Sequence, residues 1–280
     1  MPLAKVYGNL QSYKLYVLPT AKQLFGSYSY RRKSTIKHHS NVQKMLEVLA
    51  LHGPLTTWGM AKIVLHDNDS GIRTKEKEYR RLLKGREDRG KHSPGVLDVG
   101  LVVVDGTNYN RGPSDVYRLS IHGMLYCLDV LELTNKEIDT MAKHYSHILP
   151  LLFGKWEYLK SIIGNDVYRI KTLAGGLFLD NIQVTKMSKF PVFELLTYLS
   201  IKYQEYFELI EEKKLAEQIS CWFYTNLLLP SGPKPTVTDN AKWKKIFEDK
   251  EIKNWYSGFV DEATKFYGDR FRIIKNLIKK

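Results

Sequence analysis

Between residues 41 and 65 apolar side chains recur at three- and four-residue intervals, the spacing that lines one side of an α-helix. Val42, Met45, Leu46, Leu49 and Ala50 form one stripe over Asn41 to His52, with Ser40 as a candidate N-cap and Gly53-Pro54 as the stop. Met60, Ala61, Val64 and Leu65 predict a second, shorter helix that begins at Thr56 or Thr57 and ends at Leu65, after which the polar HDNDSG turns the chain. The sharpest separation follows in IRTKEKEYRRLLK, from Ile72 to Lys84. At about 100° per residue, Ile72, Tyr79, Leu82 and Leu83 fall on one face, and Arg73, Lys77, Arg80, Arg81 and Lys84 gather on the other. One side suits a core; the other suits solvent or an anionic partner.

The period then shortens. Val96 to Val99 and Gly100 to Val104 are rich in β-branched residues, Gly106 to Asp115 is polar, and Val116 to Ser120 alternates as VYRLS, which predicts paired strands around a long turn. Helical spacing returns after Leu133. Thr134-Asn135-Lys136-Glu137 is a capping-box sequence opening a helix lined by Ile138, Met141, Tyr145 and Ile148. Further helical patterns cover Lys155 to Ile163, Tyr168 to Asn181, Pro191 toward Leu229, Asn240 to Asp249 and Asn254 to Lys279. Pro230, Pro233 and Pro235 close the longest of them.

Helix, helix, helix, strand, extended loop, strand is the order of the winged helix-turn-helix. Over about Ser40 to Leu133 the chain resembles that family of DNA-binding proteins: VYRLSIHGMLYCL, Val116 to Leu128, looks like a last wing strand running through a Gly into a closing helix. The pattern also resembles archaeal winged-helix proteins of undefined role. The connection GREDRGKHSP, Gly85 to Pro94, is longer than the pattern requires. The fold this implies is mainly α with a small β-hairpin wing. It places a basic, tyrosine-containing arm at 1–39, a winged helix-turn-helix domain at 40–133 and an all-α dimerisation or effector domain at 134–280.

The resemblance also implies site residues. The third helix, about 72–85, would enter the major groove, with Arg73 and Arg80 reading bases and Lys77 and Lys84 on the backbone beside Arg81. The wing, about 106–115, would bring Asn108 and Arg111 to the flanking groove or backbone. Thr56 and Thr57, opening the second helix, would set amides or hydroxyls on a phosphate.

Composition sharpens this picture in one respect. The 280 residues carry 43 Lys and Arg against 30 Asp and Glu, a formal net charge of +13 that suits a polyanion. The excess is uneven: residues 1–40 hold seven basic and no acidic residues, and Arg73 to Lys91 hold nine basic against four acidic. Charge alone leaves DNA, RNA and an acidic protein open. In the first forty residues Tyr7, Tyr13, Tyr16, Tyr28 and Tyr30 alternate with lysines and Arg31-Arg32-Lys33, a mixture that can stack on bases or pack on a partner subunit.

Other chemistry is thin. Cys127 and Cys221 stand alone in apolar contexts and read as buried, reduced thiols. His144 and His147 are spaced for one metal, but nothing completes a ligand set. Asp67 and Asp69 begin like a calcium loop, yet Gly71 stands where an oxygen ligand is needed. Phosphate-loop, dinucleotide and nucleophile-elbow motifs are missing, so the chain reads as a binder without catalytic residues, metal or cofactor. No secretory signal or bilayer-length apolar run stands out. The expectation is a cytoplasmic transcription regulator, nucleoid-associated if prokaryotic. It would bind double-stranded DNA as a homodimer, with a protein partner or small effector on the helical domain. Two other readings stay open: a component of a replication or RNA-associated assembly, and a winged-helix scaffold that binds protein alone.

Overall fold

Helix formation near the amino terminus runs further than the apolar stripe. The segment KSTIKHHSNVQKMLEVLALH contains neither Gly nor Pro, and α1 occupies all of it, Lys33–His52. Ser40 is therefore interior to the helix and not its cap, and residues 33–39 of the expected arm are helical. Gly53, with φ of 74°, ends the helix, and its amide donates to the Leu49 carbonyl at 3.0 Å. The computed structural model describes residues 33–66, 69–88, 90–93, 95–98, 100–110, 112–171, 174, 212–230 and 234–267. The tyrosines of the arm, Arg111 and most of the stripe after Pro191 lie outside these.

Two residues after Gly53 form β1 (Leu55–Thr56), and α2 (Thr57–Leu65) follows directly, capped by Thr56, whose hydroxyl accepts from the Gly59 amide at 3.1 Å. His66 closes α2 in the left-handed region, and α3 (Asp69–Lys84) starts earlier than the polar turn suggests. The GREDRGKHSP connection is itself a hairpin, β2 (Arg86–Asp88) against β3 (Lys91–Ser93), turning at Gly90 with φ of 74°. Val96 sits in a turn rather than a strand, and the sheet proper begins later with β4 (Val102–Asn108) and β5 (Ser114–Leu119). The result is a three-stranded antiparallel sheet in the order β1-β5-β4.

After the sheet, Ser120 caps α4 (Ile121–Val130) through the Gly123 amide at 3.0 Å. Gly123 has a packing reason: a Cβ there would collide with the Leu101 carbonyl oxygen. Next comes α5 (Asn135–His144), opened by the Thr134–Glu137 capping box. This helix packs against α1. Just past its end, Tyr145 is fully buried; its hydroxyl donates to the Leu49 carbonyl at 2.9 Å and accepts the Leu119 amide at 3.2 Å. The division of the described chain accordingly falls between His147 and Ile148. The border expected at residue 134 lies before α5, because Ile138, Met141 and Ala142 bury their side chains in the earlier unit. Burial of Ile138 and Met141 contributes about 1.5–3 kcal/mol each.

The later unit contains α6 (Trp156–Ile163), a 3-10 turn (Gly164–Arg169), α7 (Glu212–Leu227), α8 (Val237–Ile246) and α9 (Lys250–Tyr267). Both α8 and α9 begin earlier than the stripe alone predicts. For α8 the cause is a Thr236–Asp239 capping box. At the start of α9, Asp249 accepts the Glu251 and Ile252 amides at 3.0 Å each and the Lys155 ammonium at 2.9 Å. Tyr224 donates to the Leu151 carbonyl at 2.7 Å, and Trp156 meets Phe153 and Tyr168 edge-on. Cys127 and Cys221 are buried thiols outside any disulfide, and burial pushes the Cys127 thiol upward. Among the described residues, no helix is long and apolar enough to cross a membrane.

Candidate nucleic-acid interface

The charged helix α3 is fixed at its carboxy-terminal end by backbone. The Val96 and Leu97 amides donate to the carbonyls of Leu82 and Leu83 at 3.0 and 3.1 Å, satisfying acceptors that a helix end leaves open. Gly95 permits that approach, since a Cβ would strike the Leu83 carbonyl, and its amide is held by Asp98 at 2.8 Å. Ile72, Tyr79, Leu82 and Leu83 are buried, while Arg73, Lys77, Arg80, Arg81 and Lys84 are exposed. At 1.5 Å per residue the row from Arg73 to Lys84 spans roughly 16 Å.

Its charges are not equivalent. Arg80 Nη2 lies 2.6 Å from Glu76 Oε1, and the same oxygen accepts from Thr57 Oγ1 at 3.2 Å. Lys75 pairs with Glu78 at 2.9 Å and stands 5.0 Å from the Tyr79 ring centre, and Asn41 Nδ2 donates to the other Glu78 oxygen. Among the described residues, Arg73, Lys77, Arg81 and Lys84 have no carboxylate partner, so these four carry the net positive field of the face. Burial, with help from Glu78, pushes the Tyr79 phenol up to about 12. Tyr117 on β5 is also raised, by burial and then by Asp115, while Arg80 pulls it back; the strand therefore lies within electrostatic reach of the cationic row.

The β4–β5 hairpin projects beyond the core. Its register shifts between Val104 and Gly106, a bulge in which Gly106 adopts φ of 143°. Below it Arg118 bonds Asp105 at 2.6 Å. At the tip Asn108 Oδ1 accepts the Asn110 amide at 2.9 Å, and Tyr109 is 75% exposed between them.

The expected site residues divide accordingly. The five cations share the open face of α3, and Asn108 is exposed on the hairpin. Thr56 is engaged as the α2 cap. Thr57 departs from expectation: it is 4% exposed and its hydroxyl donates to Glu76, so it is not presented to a phosphate. Arg111 lies outside the described residues. His147 falls past the end of α5, so the two histidines do not share a helical turn. Among the described residues, no group of three or more His, Cys, Asp and Glu side chains could hold a metal ion. Two participants escaped the sequence: Glu76, visible only as one acid among many, and Tyr109, whose exposure depends on the hairpin geometry.

No protein-family model, curated protein or solved structure matches this chain at a significant level. Geometry alone carries the functional argument.

Proposed function

We propose that this protein is a DNA-binding transcription regulator of winged helix-turn-helix type, in which α3 enters the major groove and the β4–β5 hairpin contacts the flanking groove or backbone. The observation that carries this reading is the open face of α3, where Arg73, Lys77, Arg81 and Lys84 stand without carboxylate partners among the described residues, opposite a buried apolar face. Three supporting facts accompany it. The helix packs against α2 and is tied to α1 through the Asn41–Glu78 hydrogen bond, a three-stranded sheet closes the unit, and the hairpin tip holds exposed asparagines and Tyr109. A row of roughly 16 Å along a helix fits a groove about 12 Å wide and can reach phosphates on both of its walls. Arginine fits guanine bidentately, and lysine acts as a point charge on the backbone. The helical unit that begins after His147 would pair two copies or hold an effector, doubling the contact across two half-sites.

Anisotropy titration of labelled duplex with the full chain tests this. With about six phosphates neutralised, log affinity falls against log salt with a slope near −5, and each phosphate contact removed flattens it by about 0.9. The Arg73/Arg80/Arg81 triple alanine variant is expected to lose about tenfold or more in affinity and to flatten the slope. Unchanged binding would remove α3 as the reading element. Equal competition by RNA of the same length would move the protein to an RNA-associated role.

A further inference from the structure

The carboxylate of Glu76 sits in the wrong place for a face that simply attracts phosphates. Its side chain is 16% exposed, against 61% for Arg80, and one of its oxygens takes both the Arg80 guanidinium and the Thr57 hydroxyl. Thr57 opens α2, so the carboxylate is anchored from the neighbouring helix and does not swing freely with α3. As a stabilising device an i,i+4 ion pair on a helix surface is weak. Its effects on Arg80 are larger. A neighbouring negative charge cancels much of the attraction between that guanidinium and a phosphate. Fixing the side chain in advance also removes part of the rotamer entropy that ordering an arginine costs. A guanidinium has five N–H donors, and one bond to Glu76 leaves others for a second acceptor. Arg73, Lys77, Arg81 and Lys84 have no such tether among the described residues.

We propose that Glu76 is a positioning residue that keeps Arg80 from serving as a phosphate contact and holds its remaining donors ready for a base edge, guanine above all, in duplex DNA. The inference rests on the reading of α3 as the groove-binding helix. It divides the row into four cations that supply sequence-independent affinity and one arginine that discriminates.

The test uses the full chain, a labelled random-sequence duplex and a salt series. Glu76→Gln keeps the shape and the Thr57 hydrogen bond but removes the charge. Arg80 then joins the phosphate contacts: the slope steepens by about 0.9, and affinity near 0.1 M salt rises about 8-fold. In an Arg80→Ala background the same change has no effect. Arg80→Ala alone leaves random-duplex affinity and slope near wild type, whereas Lys77→Ala costs about 8-fold near 0.1 M salt. Selection from a randomised duplex pool recovers a preferred guanine with wild type and loses that preference with Glu76→Gln.

An Arg80→Ala loss equal to that of Lys77→Ala, or a Glu76→Gln gain that persists without Arg80, overturns the role of Glu76 while leaving groove binding intact. Absence of salt-dependent duplex binding by wild type overturns both.

Discussion

Replacing Tyr145 with Phe isolates the hydroxyl that joins three parts of the first unit. Tyr145 is fully buried beyond the end of α5; it donates to the Leu49 carbonyl of α1 and accepts the Leu119 amide of β5. The two losses differ. Leu49 keeps the Gly53 amide at 3.0 Å and so remains satisfied. Leu119 lies beyond the reach of β1, which pairs only with Val116 and Tyr117, and its amide would be left buried without an acceptor. An orphaned buried donor costs about 1–3 kcal/mol. For a unit of this size that corresponds to a fall in melting temperature of about 4 °C per kcal/mol, or about 4–12 °C in all. Thermal melting by circular dichroism gives the total, and hydrogen exchange localises the loss to the Leu119 amide. A variant that melts with wild type and keeps that amide protected would show that the hydroxyl is dispensable and that apolar packing alone seats α5.

Other expectations concern glycine and pH. Gly123→Ala drives a methyl group into the Leu101 carbonyl and is expected to cost about 3 kcal/mol or more through overpacking, read by urea denaturation. Gly258→Ala, exposed within α9 with open space around it, is expected to stabilise by about 0.5–1 kcal/mol. Tyr79 is protonated up to about 12 in the native state against 10.0 when unfolded, so between these values the unfolded chain binds fewer protons. Its contribution is complete below pH 10 and declines as pH rises, with a slope of up to about 1.4 kcal/mol per pH unit. Tyr79→Phe should flatten the stability profile in that window, and an unaltered profile would remove Tyr79 as its source.

What the sequence made legible is what periodicity controls. The buried and exposed sides of α3 follow from the spacing of Ile72, Tyr79, Leu82 and Leu83, and Thr134 announces its capping box in four letters. What it hid depends on partners distant in the chain. The β2–β3 hairpin has no apolar alternation to betray it, only mixed charges around Gly90. The allegiance of α5 is decided by burial against α1 and by the Tyr145 hydroxyl, neither of which leaves a local signature. Ser40 looks like a cap because Ser favours that position, yet the residues before it sustain the helix equally well. Thr57 was separated from Thr56 only by the fold, which turned one hydroxyl to its own helix and the other to Glu76.

The bulge at Gly106 separates a fixed base of the hairpin from an adjustable end. Inboard, Val102 to Val104 pair with Leu119 to Tyr117 and belong to the sheet; outboard, only Gly106 to Asn108 pair with Val116 to Ser114. Side chains alternate along a strand, so inserting two residues per strand outboard extends the reach by about 7 Å and keeps every later residue on its original side. A single residue per strand turns the end over. Lengthening by pairs therefore offers a way to alter the span of the projection while leaving the base, the bulge and α3 untouched.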